Sequence, residues 1–329
     1  MRVLVLGAAG FIGSNLVKSL CASASIRCGG PASRLIAELV LADVRPVPPM
    51  AVPEGVAIRI EQGDVRDPVF LATLFDADFD CVFHLAATLT LDAEMDFAQG
   101  LEVNVHALMR LLERCRGQTR PPALVFASSI STFGGTLPEV VDDAVVQTPE
   151  TSYGCHKTIA ELLISDYSRR GFIDGRVLRL PIVLTHPGPA SASVSDRIAA
   201  LIREPLNGRE AICPLDPRTR IPVASARNVV KSLLALLALP VSDFGATRAM
   251  NLPSLTVTPA AIEAAVVRAA RAGHSLGAIT WQPDAQVQRI VQAWPRAFTS
   301  QRALAAGIAA DASLDAIVCA YIEDYLSDA

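Results

Sequence analysis

The N-terminal stretch MRVLVLGAAGFIG, residues 1–13, decides the fold class of this chain. The apolar run from Val3 to Leu6 is typical of a buried strand, and glycines follow it at positions 7, 10 and 13. Residues 14–20 then have a helical pattern. A strand that passes through a glycine turn into a helix presents backbone N–H groups and the positive helix end to an anion. The stretch therefore predicts a site for the diphosphate of a dinucleotide.

The three glycines have separate predicted roles. Gly7 permits a tight turn, Gly10 lets the backbone approach a pyrophosphate, and Gly13 lets the helix pack closely on the strand. The spacing G-x-x-G-x-x-G differs from the commoner G-x-G-x-x-G pattern, and a glycine turn without any ligand is the alternative. The position between a strand and a helix favours dinucleotide binding.

Length, composition and charge exclude several classes of protein. The 329 residues are 51% hydrophobic and 19% charged, which is typical of a folded protein of one large or two modest domains. A net charge of −4 gives no support for a nucleic-acid or anionic-membrane partner. No signal peptide is visible, and the later apolar run 233–239 is too short to span a bilayer. Seven scattered cysteines without a C-x-x-C pair indicate free thiols, so we expect a cytoplasmic protein without a metal site.

Strands and helices alternate through the first half of the chain, which predicts an α/β fold with a doubly wound parallel sheet, a Rossmann fold. The expected strands are residues 3–6, 38–43, 57–61, 80–84, 123–127, 175–180 and 248–252, and the expected helices are residues 14–20, 67–75, 93–116, 152–170 and 228–239. Residues 185–223 are expected to form irregular segments and short helices, and helices dominate after residue 258. We expect a dinucleotide-binding domain from residues 1–183 and about 225–252. A smaller, mostly helical substrate domain is expected from about 184–224 and 253–329.

Two acids at strand ends bear on the cofactor. Asp43 is placed to accept hydrogen bonds from the adenosine ribose hydroxyls and to repel a 2′-phosphate, which favours NAD over NADP. A turn aspartate is the alternative for Asp43, and Arg45, two residues later, is an alternative phosphate ligand. Asp64 follows the next strand and either binds adenine or caps the helix that starts near Asp67.

A second motif, SYGCHK at residues 152–157, places a phenol and an ammonium on one helix face. Tyr153 and Lys157 are one turn apart, and the ammonium is expected to lower the pKa of the phenol from about 10. Tyr153 is then a general base, and Ser129 at the end of the fifth strand hydrogen-bonds the same substrate oxygen. An exposed Tyr–Lys helix pair without any catalytic role is the alternative, but the preceding glycine turn favours catalysis.

The first 185 residues resemble the extended short-chain dehydrogenases/reductases, the epimerase/dehydratase superfamily. The resemblance is carried by the glycine turn, Asp43, the motifs around residues 63–64, 84–87, 104–105, 128–129 and 153–157, and residues 179–181. It implies a catalytic set of Ser129, Tyr153 and Lys157, with Lys157 also holding the nicotinamide ribose. The cofactor contacts that it implies are Gly7, Ala9, Gly10, Phe11, Ile12, Gly13, Asp43, Asp64, Val65, Leu85, Ala86, Ala87, Asn104, Tyr153, Lys157, Pro181 and Val183.

Segments over nearly the whole length resemble the members of that family that use NAD to oxidise the 2-hydroxyl of a four-carbon sugar acid such as D-erythronate. The sequence departs from them where the substrate is expected, because residues 186–191 read HPGPAS instead of a loop with an arginine and a lysine. A carboxylate substrate needs cationic or N–H partners. The expected substrate contacts are Thr88, Ser129, His186, Arg197 and Arg220, and either arginine is alternatively a solvated surface residue.

Three functions remain open at this point. The first is an NAD-dependent dehydrogenase that acts on a secondary alcohol of a small hydroxy or sugar acid. The second is a nucleotide-sugar epimerase or dehydratase with the same residues, and the third is a dinucleotide-binding regulatory protein without turnover. The resemblance also implies a homodimer formed through the helices at residues 93–116 and 152–170. Alternatively, the apolar faces of these helices only cover the sheet.

Overall fold

The structure is a computed structural model that describes residues 1–185, 187–188, 193–245, 247–270 and 275–326. Two compact units divide the chain. The first comprises Met1–Ser129, Thr151–Arg179 and Val230–Met250, and the second comprises Ile130–Glu150, Leu180–Val229 and Asn251–Ala329. Residues 130–150 therefore lie in the second unit, whereas the sequence placed them in the first domain.

The described part of the chain forms short strands and amphipathic helices. The strands are β1 (Arg2–Leu6), β2 (Ser25–Arg27), β3 (Ser33–Leu35), β4 (Glu38–Asp43), β5 (Ala57–Gln62), β6 (Cys81–His84), β7 (Ala123–Ser129), β8 (Asp174–Leu180), β9 (Ile182–Val183), β10 (Ala211–Cys213), β11 (Ile221–Ala224), β12 (Ala249–Asn251), β13 (Leu255–Val257) and β14 (Ile279–Trp281). The helices are α1 (Phe11–Ser23), α2 (Pro68–Leu74), α3 (Thr90–Met95), α4 (Phe97–Leu101), α5 (Ala107–Arg116), α6 (Ser152–Arg169), α7 (Val194–Leu206), α8 (Ala226–Ala238), α9 (Pro259–Ala269), α10 (Ala285–Ala293), α11 (Gln301–Ala305) and α12 (Leu314–Tyr325).

A seven-stranded sheet in the order β12-β8-β7-β6-β1-β4-β5 forms the centre of the first unit. Strand β1 pairs in parallel with β4 and β6, and β4–β5 and β6–β7 are also parallel. Both faces of β1 are buried, since Val3, Leu4, Val5 and Leu6 are all inaccessible to solvent. The strand order and the parallel pairing confirm the doubly wound sheet that the alternation of elements predicts.

Helices α2, α5 and α6 cover one face of this sheet. Leu6 of β1, Val82 of β6 and Phe126 of β7 meet Leu111 of α5 and Ile164 of α6 in one apolar cluster. Burial on this scale is the main stabilising contribution to such a fold, at about 25 cal/mol per Å² of apolar surface. The core therefore fixes where the carboxyl ends of the strands lie, which is the edge where ligands bind in doubly wound folds.

The predicted long helix over residues 93–116 is corrected by the structure. The expected helix 93–116 is interrupted at Asp96, whose side chain accepts a hydrogen bond from Gln99 N and caps α4. A π-helical turn over Glu102–His106 then joins α4 to α5. The distance from the glycines to Asp43 exceeds the usual spacing of about 20 residues, and the sequence predicts an insertion at roughly residues 21–34 that accounts for the excess. The β2–β3 hairpin lies there and ends at Leu35, one residue beyond that range.

The second unit contains smaller sheets and most of the C-terminal helices. Its sheets are β13-β11-β9 and β10-β14. Residues 185–223 were expected to form irregular segments and short helices, and the 13-residue helix α7 is longer than this expectation. Ser193 caps it by accepting a hydrogen bond from Asp196 N, and its apolar residues Ile198, Leu201 and Ile202 are fully buried. The proline- and serine-rich residues around it masked this 13-residue pattern.

No helix in the described ranges has the length and apolar character that crossing a membrane requires.

Candidate active site

The glycine turn has the close backbone contacts that its sequence predicts. Gly7 has a φ of +87°, and a Cβ there would lie 2.7 Å from the amide nitrogen of Ala86. A Cβ on Gly13 would lie 2.0 Å from the carbonyl oxygen of Gly7. Gly10 is the N-cap of α1, and no side chain caps this helix. A side chain at either tight position would push the turn apart, and the uncapped helix start fits an external anion.

Asp43 lies at the carboxyl end of β4 and contacts this turn. Its Oδ2 accepts a hydrogen bond from Ala9 N at 2.9 Å, and its Oδ1 accepts one from Arg45 N at 2.9 Å. The Arg45 guanidinium in turn donates to the carbonyl oxygen of Ala9 at 3.0 Å. These hydrogen bonds match the alternative interpretation of Asp43 as a turn aspartate. A carboxylate has about four lone-pair positions, so two remain for ribose hydroxyls.

Asp64 follows β5 but does not cap the next helix, which corrects one of its two interpretations. Asp67 is the cap, because its side chain accepts a hydrogen bond from Val69 N. The Asp64 carboxylate instead pairs with the Arg66 guanidinium at 2.6 Å, and that hydrogen bond lowers the pKa of Asp64. Val65 beside it packs against the core of the first unit.

The segment after β6 packs on the glycine turn and is fixed by Asn104. Leu85 N donates to the carbonyl oxygen of Leu6 at 2.9 Å, and Ala86 is the residue that excludes a side chain at Gly7. Thr88 N donates to Asn104 Oδ1 at 2.9 Å, and Asn104 Nδ2 donates back to Thr88 O at 3.0 Å. The segment 85–88 is therefore held at both ends.

Tyr153 and Ser129 come together at the carboxyl edge of the sheet. Helix α6 begins at Ser152, capped by Thr151, and Tyr153 in its first turn is only 9% exposed. A hydrogen bond joins the Tyr153 and Ser129 side chains. Burial raises the pKa of Tyr153 to about 12, while the bond to Ser129 acts in the opposite direction. The two hydroxyls can together bind one substrate oxygen.

Lys157 lies one helix turn after Tyr153 on α6, and its environment corrects the expected lowering of the pKa of Tyr153. Its Nζ donates to the carbonyl oxygen of Ala127 at 2.8 Å, lies 4.3 Å from the Phe126 ring centroid and is 5.5 Å from that of Tyr153. Burial lowers the pKa of Lys157 to about 7, and the charge of Glu161 opposes this change. In the chain without a ligand, burial therefore raises the pKa of Tyr153, whereas we expected the ammonium to lower it.

Sequence reasoning missed a buried ion pair one turn beyond Lys157. Arg179 donates to Glu161 through Nε at 3.0 Å and through Nη2 at 2.7 Å, and the Ser128 hydroxyl donates to the same carboxylate. Glu161 and Arg179 are 3% and 6% exposed. The sequence feature that could have indicated this pair is Glu161, which follows Lys157 by four residues. This spacing repeats that of Tyr153 and Lys157 and places all three residues on the same helix face.

His84 was quoted only as part of a motif, but it lies beside the same lysine. Its ring packs against Phe126 with 5.6 Å between the ring centroids. Burial, and secondarily the charge of Lys157, lower the pKa of His84 to about 3. A neutral imidazole at the end of β6 therefore adds no second positive charge next to the ammonium.

The remaining predicted contacts lie in the second unit. Pro181 precedes β9, where Val183 pairs with Ala224 of β11. Arg197 makes an ion pair with Asp284 at 3.0 Å, and Arg220 makes one with Glu139. Both arginine side chains are partly exposed, at 30% and 45%. His186 and the rest of the departing loop at 189–191 lie outside the described residues.

A cavity of about 670 Å³ lies within the second unit and includes one of these arginines. Its walls come from α7, β10 and the segment before α10, and they include Arg197, Arg203, Glu204 and Asp284. Arg203 is fully buried and donates to Asp196 at 2.6 Å. The cations that line the cavity are therefore matched by neighbouring carboxylates.

Comparisons with known proteins identify the family of this chain. The model of the NAD dependent epimerase/dehydratase family matches residues 3–251. D-erythronate dehydrogenase of Cupriavidus necator is 42% identical over 98% of each chain, and the enzyme of the same name from Haemophilus influenzae is 33% identical over 98% of this chain and 99% of that one. The crystal structure of a nucleoside-diphosphate-sugar epimerase from Agrobacterium tumefaciens has a TM-score of 0.90 at 33% identity, covering 100% of this chain and 95% of that chain.

Proposed function

This chain belongs to the NAD-dependent epimerase/dehydratase family, and from that premise we propose that it is an NAD-dependent dehydrogenase of a small hydroxy or sugar acid. The reaction is oxidation of a secondary alcohol to a ketone, at the C2 hydroxyl of a D-erythronate-like acid. The observation that carries the proposal is the hydrogen-bonded pair of Ser129 and Tyr153, with Nζ of the buried Lys157 5.5 Å from the Tyr153 ring centroid.

The residues of the first unit fit NAD. The uncapped start of α1 and the two positions where a Cβ would collide make a close-fitting site for the diphosphate. Asp43 has acceptor capacity for the adenosine ribose, which favours NAD over NADP. The proposed contacts in this unit are Gly7, Ala9, Gly10, Phe11, Ile12, Gly13, Asp43, Asp64, Val65, Leu85, Ala86, Ala87, Asn104, Tyr153 and Lys157. Pro181 and Val183 are proposed as further contacts from the second unit.

In the proposed reaction each catalytic side chain has one task. NAD, when held by the residues named above, would supply the acceptor for the hydride of the carbinol carbon. Ser129 donates a hydrogen bond to the substrate oxygen and orients it, and Tyr153 in its phenolate form takes the hydroxyl proton as general base. Lys157 lies beside the phenol, with its Nζ 5.5 Å from the ring centroid, and the charge of Glu161 opposes the lowering of its pKa by burial. The products are the ketone, NADH and one proton, so charge and atoms balance.

The acid group of the substrate needs a cation or N–H donors. Arg197 and Arg220 are the proposed sources, because each is partly exposed and bonded to a carboxylate that a substrate can displace. Thr88 and His186 are proposed as further contacts. These assignments rest on the relatives that are named for D-erythronate and on the residue types.

The test is a panel of three- to six-carbon aldonic acids with NAD, followed by NADH absorbance. The expected result is net NADH formation with at least one acid and a preference for four carbons. The nucleoside-diphosphate-sugar epimerase among the similar structures makes epimerisation the second candidate. Interconversion of a nucleotide sugar without net NADH would replace the first proposal with the second. Binding of NAD without turnover of either class would indicate a regulatory protein.

We also propose that the protein is a homodimer. Met95 at the end of α3 and Phe97 at the start of α4 are 87% and 61% exposed, and Leu162 on α6 is 65% exposed. Large apolar side chains exposed on neighbouring helices are typical of an interface. Sedimentation is expected to give a mass of about 70 kDa, twice the chain mass of 34.8 kDa. A single species at the monomer mass would contradict this proposal.

A further inference from the structure

His156 lies between the general base and the lysine on α6 and has no role in the mechanism above. The side chain is 2% exposed, and its ring lies 6.1 Å from that of Phe97 at the start of α4. Space for the ring exists because residue 100 is glycine, where a Cβ would lie 3.3 Å from His156 Cε1. A histidine enclosed in this way has a fixed ring orientation.

The ring nitrogen of His156 contacts the amide that fixes Thr88. His156 Nδ1 lies 3.4 Å from Asn104 Nδ2, a long hydrogen bond. The same amide group donates its other N–H to Thr88 O, and its oxygen accepts from Thr88 N. Asn104 has two N–H donors, and these contacts use both. If the amide were flipped, its oxygen would face the lone pairs of both His156 Nδ1 and Thr88 O.

The contact also determines the state of the imidazole. Nδ1 can accept this hydrogen bond only when its lone pair is free, which places the proton on Nε2 and leaves the ring neutral. Two charged groups act on the ring, Glu94 on α3 and Lys157 on α6 itself. Burial lowers the pKa of His156, Glu94 raises it, and Lys157 lowers it. The neutral form that the geometry requires is therefore favoured around neutral pH.

We propose that His156 is a positioning residue that fixes the orientation of the Asn104 amide and, through it, the backbone of Thr88 at the substrate end of the segment after β6. The other end of that segment is held separately by the contact of Ala86 with Gly7. This inference rests on the proposed function, because it assumes that Thr88 faces the substrate and that Leu85 to Ala87 face NAD.

The kinetic test compares two variants of equal side-chain length, His156→Gln and His156→Met. Glutamine keeps an oxygen that can accept from Asn104, and methionine does not. We expect kcat/KM for the acid to fall about ten-fold in His156→Met, the effect of one lost hydrogen bond, and to be largely retained in His156→Gln. The Kd for NAD should change much less than kcat/KM in both variants, since the Gly7–Ala86 contact holds the other end of the segment. Equal losses in the two variants would overturn the proposal.

A second measurement does not depend on turnover. Hydrogen exchange of the Thr88 amide is expected to be slow in the wild type and in His156→Gln, and faster in His156→Met. The imidazole ¹⁵N shifts of the wild type should show a proton on Nε2 and none on Nδ1. The opposite tautomer, or unchanged Thr88 exchange in a folded His156→Met protein, would refute the proposal.

His106→Met is the matched control. His106 is an exposed histidine of the neighbouring π-helical turn that pairs with Glu102, so neither exchange at Thr88 nor kcat/KM should change. The two proposals fail separately in this design. A wild type that forms no NADH contradicts the proposed function, whereas the exchange and tautomer results still decide the role of His156.

Discussion

The ammonium of Lys157 donates a hydrogen bond to the carbonyl oxygen of Ala127, and this contact fixes the geometry of the candidate active site. Ala127 is two residues before Ser129 on β7, so one strand positions both the lysine and the hydroxyl that binds Tyr153. The lysine stem is buried, and its charge lies over the Phe126 ring. A β-strand and a helix turn therefore bring three functional groups to one edge of the sheet.

Tyr153→Phe removes the proposed base but keeps the ring and its packing. We expect the rate of NADH formation to fall by about 10²–10⁴, the usual contribution of a general base, with NAD binding retained. Tyr167→Phe on the same helix is the control, because the Tyr167 hydroxyl contacts Glu113 at an exposed position. Full activity in Tyr153→Phe would show that another group takes the proton.

Lys157→Met should change how stability depends on pH. The pKa of Lys157 is lowered from 10.5 to about 7 by burial, so between these values the unfolded chain binds more protons than the folded one. The free energy of unfolding of the wild type therefore rises with pH in this range, by about 1–3 kcal/mol between pH 7 and 9, relative to the variant. Urea unfolding at both pH values measures the difference. The exposed Lys231→Met is the control, and an equal pH slope in wild type and Lys157→Met would contradict the assignment.

Gly13→Ala is expected to destabilise the glycine turn and to abolish NAD binding. The added Cβ would lie 2.0 Å from a backbone oxygen, and backbone cannot move aside as a flexible side chain does. Overpacking of this kind costs about 1–3 kcal/mol or more. Gly30→Ala is the control, because a Cβ there meets nothing within 4 Å. Calorimetric titration with NAD and thermal unfolding report the two effects, and tight binding by Gly13→Ala would exclude this turn as the diphosphate site.

Asp43→Asn should shift the cofactor preference from NAD toward NADP. The substitution removes the charge that repels a 2′-phosphate, next to the Arg45 guanidinium. Asparagine has one acceptor oxygen instead of two, so one of the two backbone N–H groups that bind Asp43 loses its acceptor. The ratio of kcat/KM for the two cofactors is the measurement. Asp67→Asn, at the cap of α2, should leave the ratio unchanged, and an unaltered ratio in Asp43→Asn would argue against the ribose contact.

Glu161→Gln removes the negative charge that pairs with the buried Arg179. Breaking a buried ion pair in this way typically costs about 3–5 kcal/mol, which chemical denaturation measures. The double variant Glu161→Gln, Arg179→Met removes both charges and is expected to recover part of the loss. Asp166→Asn disrupts an exposed pair with Arg169 on the same helix and should change stability little. A stability loss in the double variant as large as that in Glu161→Gln would indicate that the charge is not the cause.

Local sequence patterns determined the sheet and the positions of its functional residues. The apolar run of β1 followed by glycines indicates a buried strand, and the position of Gly13 predicts close packing of α1 on that strand. Tyr153 and Lys157 share a helix face through the 3.6-residue period alone. The apolar pattern did not show that the long helix is interrupted at Asp96. The interruption depends on a local hydrogen bond from Gln99 N to the Asp96 side chain, which competes with continuation of the helix.

Tertiary structure decided what these residues experience. Whether Lys157 acts on Tyr153 or on the Ala127 carbonyl depends on how β7 packs against α6, and burial sets the direction of both pKa changes. The Arg179–Glu161 and His156–Asn104 contacts join residues 18 and 52 positions apart, and no periodicity in the chain encodes them. The sequence by itself therefore determined which chemistry is present. Only the packed fold determined how the groups are arranged and tuned, because electrostatic interactions depend on distance and solvent exclusion.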